Sequence, residues 1–130
     1  MIDIEFEPIG QVESRFEEPT DHQIMRKEES IIVINSKFEE GLEGIEDRRY
    51  LQILFYFHKS EGYQLYGPRR FGEKRGVFAS RSPKRPVPIG STVVELIKRE
   101  GRRLKVKGLD AIDGTPILDI KPYTPSFDEK

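Results

Sequence analysis

A proline-rich, cationic loop is the segment whose residue types point most directly to chemistry. Residues 81–90 read Arg-Ser-Pro-Lys-Arg-Pro-Val-Pro-Ile-Gly, with three prolines in six positions and three cations. Each proline fixes its own φ angle and restricts the preceding residue, so the loop loses less entropy when it binds a ligand. Arg81, Lys84 and Arg85 could hold a carboxylate or a phosphate. A proline-stiffened barrel corner with its cations in water explains the pattern equally well.

A turn with two carboxylates and two isolated histidines are the other candidates. Asp110-Ala111-Ile112-Asp113 places carboxylates three residues apart, where they could accept hydrogen bonds from ribose hydroxyls or from an ammonium group. Asp113 also precedes Gly114, and Asp-Gly is a common way to close a turn. His58 could donate a hydrogen bond, position a cofactor or act as a base, but a lone histidine at a strand end is more often structural. His22 is no better specified.

Several classes of site find no support in the sequence. The chain has no cysteine and only two histidines, so we expect no disulfide, no thiolate nucleophile and no metal site. A Gly-x-Gly-x-x-Gly motif, a Walker-type phosphate loop and a Gly-x-Ser-x-Gly motif are all missing from the sequence. The sequence therefore gives no reason to expect a dinucleotide fold, a Rossmann-type methyltransferase, a nucleotide triphosphatase or a serine hydrolase.

The net charge of −1 conceals a strong segregation of charge along the chain. Residues 1–50 hold 14 acidic and 6 basic side chains, whereas residues 51–109 hold 4 acidic and 14 basic side chains. Concentrated Lys and Arg can attract a phosphate backbone even when the overall charge is near zero. A solvated basic face paired with the acidic N-terminal part is the alternative.

The elements that must position these residues are mainly short strands, so we expect an all-β fold, a barrel or a sandwich. We predict one short helical turn within Gly41–Arg49 and a loop over Arg15–Ser30. The β-branched and aromatic content or the alternation of polar and apolar residues predicts these strands: an outer strand Ile2–Glu7, a buried strand Ile31–Ile34, a central strand Tyr50–Phe57, a short strand Gly76–Ala79, a hairpin of Thr92–Lys98 with Arg102–Leu109, and a last strand Pro116–Tyr123.

The length of 130 residues predicts a single domain spanning residues 1–130. A hydrophobic content of 35% allows one modest core, which self-association would help to complete. No apolar run approaches the roughly 20 residues of a membrane helix, and the start Met1–Glu5 is acidic, unlike a signal peptide. We therefore expect a cytoplasmic protein without membrane contact.

Taken together, these segments resemble the TrmO (TsaA-like) methyltransferase family. Residues 76–90 are similar to its Gly-Val-Phe-Ala-Thr-Arg-Ser-Pro-x-Arg-Pro-Asn-Pro-Ile-Gly signature, with Val87 in place of the usual asparagine. Residues 108–123 resemble its second signature, and Ile9–Ser14 resembles its opening one. The resemblance extends in the same order from Ile9 to Pro125.

The resemblance implies a small β-barrel with short helical turns that works as a homodimer and binds S-adenosyl-L-methionine near the subunit interface. It also implies methylation of N6 of threonylcarbamoyladenosine at position 37 of certain tRNAs. The positions that match the family's cofactor-binding residues are Asp21, His22, Gln23, His58, Lys59, Arg81, Asp110, Ala111, Ile112 and Asp113.

The acceptor base and the substrate remain open at this level. Methyl transfer is an in-line displacement that mainly requires alignment, although some group must accept the proton of the acceptor nitrogen. Asp113, Asp119 or the substrate's own carboxylate could do so, and Lys121 could neutralise developing charge. Bacterial members of the family continue into a C-terminal domain, whereas this sequence ends at Lys130. If that domain helps to hold tRNA, we expect this protein to rely on its own basic segment, residues 51–109, on a partner, or on a different substrate.

Two alternatives follow from the same residues. One is a methyltransferase of the same architecture that acts on another RNA or on a small molecule. The other is a non-catalytic β-barrel that binds RNA through aromatic and cationic residues of its basic segment. These residues are Tyr63, Tyr66, Phe71, Arg69, Arg70 and Arg75.

Overall fold

A closed barrel of six antiparallel strands forms the body of the protein in this computed structural model, which describes residues 2–129. The strands are β1 Gly10–Glu13, β2 Glu29–Ile34, β3 Tyr50–Tyr56, β6 Ile89–Glu100, β7 Arg103–Lys107 and β8 Pro116–Pro122, paired in the order β1-β2-β7-β6-β3-β8. A separate hairpin is formed by β4 Tyr66–Pro68 and β5 Lys74–Gly76. The helices are short: α1 His22–Met25, α2 Pro125–Asp128, and 3₁₀ helices at Ser36–Leu42, Ile45–Asp47 and Val77–Ala79. The predicted all-β barrel is confirmed.

Alternating burial along the strands builds the barrel core. In β3, Leu51, Ile53 and Phe55 are buried, and the residues between them are more exposed. Because successive side chains of a strand point to opposite faces, this alternation directs one set into the barrel. The other strands supply Val12, Ile32, Ile34, Val94, Leu104, Val106 and Ile117 to the same core.

The strongest strand predictions are confirmed. The central strand is β3, which pairs with β6 on one side and with β8 on the other. The predicted hairpin is β6 and β7, closed at Gly101, whose φ angle of 59° favours glycine. A register shift between Leu96 and Lys98 marks an irregularity in the long β6 strand, and bulges of this kind bend a strand around a barrel.

Ile2–Glu7 is not a strand, so that prediction was wrong. The sheet closes through the pairing of β1 with β8 and therefore offers this segment no free edge. Ile2, Ile4 and Phe6 remain exposed. The first strand starts instead at Gly10, where a Cβ atom would lie 2.2 Å from the Val33 carbonyl oxygen.

Two smaller predictions need correction, and a third is confirmed. Gly76–Ala79 is not a strand of its own, because Gly76 ends β5 and the next three residues form a 3₁₀ turn. Arg15–Ser30 is not loop throughout, since it contains α1 and the start of β2. The helical turn expected within Gly41–Arg49 is present as Ile45–Asp47, and a further 3₁₀ helix precedes it.

The candidate residues gather at one end of the barrel. The end of β3, the start of β6 and the segment after β7 meet there, and α1 covers them. The opposite end holds a separate groove that begins with Ile9 and includes Leu51 and Pro122. Over residues 2–129, no helix has the length and apolar character required to cross a membrane.

Candidate functional site

Two adjoining cavities open at this end of the barrel. The larger cleft has a volume of about 650 Å³ and is bounded by α1, the proline-rich loop and the start of β6. The smaller pocket has a volume of about 230 Å³ and lies between α1, the end of β3 and residues 110–112. His22, Phe55, Phe57 and Asp110 line both. The two cavities therefore form one continuous site.

Two aromatic rings form the wall that the cavities share. Phe55 and Phe57 pack edge to face, with ring centroids 5.2 Å apart. Gly90 makes this packing possible, because a Cβ atom at that position would lie 2.6 Å from the Phe55 ring and 2.8 Å from the Phe57 ring. The glycine that the sequence places after the proline-rich loop thus serves close packing beneath the site.

Asp110 is the electrostatic centre of the site. One carboxylate oxygen accepts a hydrogen bond from Thr92 Oγ1 at 2.7 Å. The other accepts from Nη2 and Nε of Arg26 at 2.9 and 3.2 Å, and lies 3.1 Å from His22 Nδ1. The Asp110 side chain is only 8% exposed, whereas those of Arg26 and His22 are about half exposed. The carboxylate is therefore fixed and anchors α1 to the barrel.

Asp110 stays ionised in spite of its burial. Burial acts to raise its pKa, but hydrogen bonds from Thr92 and Arg26 and the charges of Arg26 and His22 outweigh burial and leave the pKa below its ordinary value. A carboxylate with a lowered pKa is a good electrostatic partner and a poor proton acceptor at neutral pH. Asp110 is suited to positioning groups in the site.

Side chains brace the proline-rich loop over the larger cleft. Arg85 Nη1 donates to the carbonyl oxygens of Ser80 and Ser82 at 2.9 and 3.2 Å. Ser60 Oγ donates to the Pro83 carbonyl oxygen at 2.9 Å, and Arg81 Nη2 donates to the Ser91 carbonyl oxygen. The loop is thus held by hydrogen bonds as well as by its prolines.

The larger cleft is strongly cationic. Its described lining residues include the four arginines Arg26, Arg70, Arg81 and Arg85 and a single carboxylate, Asp110. Arginine pairs well with carboxylates and phosphates, because its guanidinium offers two parallel donors. This cleft suits an anionic ligand.

The smaller pocket has a mainly apolar wall. Met25, Phe57, Ala111 and Ile112 contribute to it. His58 also lines it, and the Nδ1 atom of that ring is buried without a hydrogen-bond partner among the described residues. An unpaired buried polar atom costs about 1–3 kcal/mol. Such a cost is tolerated more readily at a binding site than in a purely structural position.

Eight of the ten predicted site residues line the two cavities. His22, Gln23, Arg81 and Asp110 line the larger cleft, and His22, His58, Lys59, Asp110, Ala111 and Ile112 line the smaller pocket. Lys59 Nζ also donates to the Glu17 carbonyl oxygen and to Glu18, each at 3.1 Å, which ties the pocket to the preceding loop.

Asp21 and Asp113 line neither cavity and have local structural contacts instead. The Asp21 side chain caps α1 by accepting a hydrogen bond from the Gln23 amide at 2.7 Å. Asp113 accepts a hydrogen bond from the Ser14 amide at 2.9 Å. Both residues support segments that border the site.

Sequence reasoning missed Arg26, Thr92 and the aromatic wall. Arg26 follows His22 by four residues, a spacing that places two side chains on one face of a helix, but the sequence pattern predicts a loop there. The pattern places Thr92 only in a strand, and its contact with Asp110 depends on how β6 passes the segment after β7.

Comparison with protein families gives a direct match. The model described as the tRNA-methyltransferase O N-terminal domain matches residues 10–129. The chain belongs to this family. A crystal structure of TrmO from Pseudomonas aeruginosa superposes with a TM-score of 0.81 at 35% identity, covering 99% of this chain and 60% of that one.

Curated relatives carry two kinds of name. An S-adenosyl-L-methionine-binding protein of Archaeoglobus fulgidus is 42% identical over 125 residues, which cover 93% of this chain and 90% of the relative. A tRNA (adenine(37)-N6)-methyltransferase of Mus musculus is 41% identical over 135 residues, covering 94% of this chain but 31% of the relative. This chain therefore spans nearly the whole of one relative and about a third of the other.

Proposed function

We propose that this chain binds S-adenosyl-L-methionine at the barrel end described above and transfers its methyl group to N6 of an adenine at position 37 of tRNA. The continuous site, in which an apolar pocket joins an arginine-lined cleft at Asp110, is the observation that carries the proposal. Family membership and the names of the relatives support it. Because tRNA is the acceptor, we place the activity in the cytoplasm.

The residues present fit this cofactor. An adenine ring is flat and largely apolar on its faces, which matches the smaller pocket, and the unpaired Nδ1 atom of His58 marks an incomplete polar environment there. A methionine carboxylate matches the guanidinium of Arg81, and a cationic sulfonium suits a site with aromatic rings such as Phe55 and Phe57. When bound, the cofactor supplies an activated methyl group. We assign its contacts to His22, Gln23, His58, Lys59, Arg81 and residues 110–112, with Asp21 and Asp113 in supporting positions.

The chain's own contribution is alignment and electrostatics. The braced loop and the Asp110 network hold their groups in place before a ligand arrives, which suits an in-line displacement. Asp119 and Lys121 do not reach this site, because Asp119 lines the groove at the opposite end and Lys121 pairs with it at 2.9 Å. Within one chain, neither residue therefore lines the two cavities of the proposed site.

Few protein groups in the site could therefore accept the proton that the acceptor nitrogen loses. Asp110 is the single carboxylate among the described lining residues of the two cavities, and its lowered pKa makes it a weak base. We infer that the threonylcarbamoyl form of the adenosine is the substrate, because its own carboxylate could pair with the cleft arginines and take part in proton removal.

Calorimetry with Arg81→Ala tests the cofactor site. Loss of a charge-assisted hydrogen bond costs about 1.5–3 kcal/mol, so affinity for S-adenosyl-L-methionine should fall by roughly 10- to 150-fold. Arg48→Ala is the matched control, because Arg48 lines the groove at the opposite end and should leave affinity unchanged. Equal affinity in the wild-type chain and the Arg81→Ala variant would place the cofactor elsewhere.

Nucleoside mass spectrometry separates the possible acceptors. Incubation of the wild-type chain with cofactor and with tRNA that carries or lacks the threonylcarbamoyl group should yield a methylated nucleoside only in the first case. Methylation of the unmodified adenosine would overturn the finer substrate assignment but keep the enzyme class. Cofactor binding without any methylated tRNA nucleoside would favour another RNA or a small molecule as the acceptor, and RNA binding without cofactor binding would favour a non-catalytic barrel.

We also propose that the protein is a homodimer that joins near the larger cleft. Phe78 and Val87 line this cleft, yet their exposed fractions are 78% and 63%. Ile24 and Val93 add exposed apolar surface on the neighbouring elements α1 and β6. Sedimentation at micromolar concentration should show two chains per particle, whereas a monomer would contradict the proposal.

A further inference from the structure

The hairpin of β4 and β5 is not part of the barrel sheet, and it exposes large side chains. Its two strands pair with each other and with no other described strand. Phe71, in the turn between them, is 83% exposed, and Tyr66 on β4 is 66% exposed. Tyr63 and Leu65, just before β4, are also more than half exposed. Exposure of apolar aromatic surface to water is unfavourable, and a patch of this kind marks a site of interaction.

The exposure is not the result of a loose loop, because hydrogen bonds fix the hairpin internally. Arg69 Nε donates to the Arg75 carbonyl oxygen at 3.1 Å, and Arg69 Nη2 donates to the Gln64 carbonyl oxygen at 3.0 Å. The Arg69 amide also donates to the Glu73 carbonyl oxygen at 2.8 Å. One arginine thus braces the hairpin and presents its tip in a defined shape.

Cations surround the exposed aromatic residues. The guanidinium carbon of Arg70 lies 5.5 Å from the centre of the Phe71 ring. Residues 62–76 contain four basic side chains and one acidic side chain, Glu73, which lies 3.8 Å from Arg75. Arg70 also lines the larger cleft, so this surface is continuous with the candidate site.

We propose that this hairpin binds unpaired RNA bases next to the larger cleft, with Phe71 and Tyr66 as stacking surfaces and Arg70 and Lys74 as phosphate contacts. Every unpaired base has an aromatic face, and cations beside the rings match the adjacent phosphates. A duplex hides its base faces and cannot use the aromatic rings in this way. The inference rests on the proposed function, since it takes the bound RNA to be the methyl acceptor.

Fluorescence anisotropy with the full chain tests the stacking role of Phe71. The probes are an anticodon stem-loop, which has unpaired bases, and a fully paired RNA duplex. Because a stacked base contributes about 1–3 kcal/mol, Phe71→Ala should raise the Kd for the stem-loop by roughly 5- to 150-fold and leave the Kd for the duplex nearly unchanged. Phe6→Ala is the matched control, because Phe6 is a similarly exposed phenylalanine in the N-terminal segment.

The salt dependence of binding separates stacking from charge. Lys74→Ala should reduce the slope of log K against log salt concentration by about 0.7, the value for one phosphate contact on a single strand. Phe71→Ala should leave this slope unchanged. Neither variant should alter the affinity for S-adenosyl-L-methionine measured by calorimetry.

Three results would overturn the inference. These are an unchanged stem-loop Kd for Phe71→Ala, an equal loss for stem-loop and duplex, and a loss that appears together with a change from dimer to monomer in sedimentation. The last result would assign the hairpin to a subunit contact. Failure of the proposed function is distinguishable, because the wild-type chain would then bind no S-adenosyl-L-methionine and methylate no RNA, whatever the hairpin variants do.

Discussion

Replacing Asp110 by asparagine tests the electrostatic centre of the site. The amide can still accept the hydrogen bond from Thr92, but it removes the negative charge that faces Arg26 and His22. Hydrogen bonds to charged groups contribute about 1.5–3 kcal/mol each. Arg26 and His22 are about half exposed and regain hydration in the variant, so we discount each contact to about 1 kcal/mol. The free energy of unfolding should therefore fall by about 2 kcal/mol at neutral pH.

The difference in unfolding free energy between the wild-type chain and Asp110→Asn should depend on pH. Since the folded protein holds the pKa of Asp110 below its ordinary value, the unfolded chain takes up the proton first as the pH falls. The stabilisation is complete above the unfolded pKa of about 4 and is lost as the pH falls through the folded value. Asparagine has no such titration. The gap between the wild-type chain and Asp110→Asn should therefore close under acidic conditions.

Urea unfolding of both proteins, at neutral pH and at several values below about 4, measures this gap. Asp113→Asn is the control, because Asp113 is exposed and the asparagine oxygen can still accept the hydrogen bond from the Ser14 amide, so this substitution should cost about 1 kcal/mol or less. The reasoning is refuted if Asp110→Asn is as stable as the wild-type chain at neutral pH. A gap that stays constant as the pH falls would refute it as well.

Two further predictions concern the packing and the bracing of the site. Gly90→Ala should destabilise the fold by about 1–3 kcal/mol and weaken cofactor binding, because the new methyl group meets the buried Phe55 ring; urea unfolding and calorimetry check this, with Gly41→Ala as the control in open space. Arg85→Met keeps a long side chain but removes both hydrogen bonds to loop carbonyls and one cation of the larger cleft. It should weaken cofactor binding several-fold in calorimetry and lower the free energy of unfolding by about 1–2 kcal/mol. Wild-type stability of Gly90→Ala or wild-type affinity of Arg85→Met would contradict these expectations.

The sequence predicts the central elements well because burial dominates there. The aromatic and β-branched run of β3 and the alternation in β7 admit few other structures, so both strands and the hairpin with β6 follow from local pattern. Ile2–Glu7 shows an equally clean alternation and is still not a strand. Strand pairing needs a free edge, and whether a barrel closes is a property of the whole sheet.

The candidate site was predictable to the extent that motifs mark it. The family signatures locate Arg81 and residues 110–113, but they do not tell which of two nearby carboxylates faces the cavity. The structure shows that the chain directs Asp110 toward Arg26 and Thr92 and directs Asp113 toward the Ser14 amide. These contacts join residues between 18 and 99 positions apart in the sequence, so local spacing carries no trace of them.

Transfer of an isotopically labelled methyl group from S-adenosyl-L-methionine to tRNA tests the central claim most directly. The wild-type chain should label tRNA, and nucleoside digestion should place the label on N6 of the adenine at position 37. Arg81→Ala should label it more slowly under subsaturating cofactor, whereas Arg48→Ala should match the wild-type chain. Label on no RNA, with the protein folded and the cofactor intact, would contradict the assignment of this site to a tRNA methyltransferase.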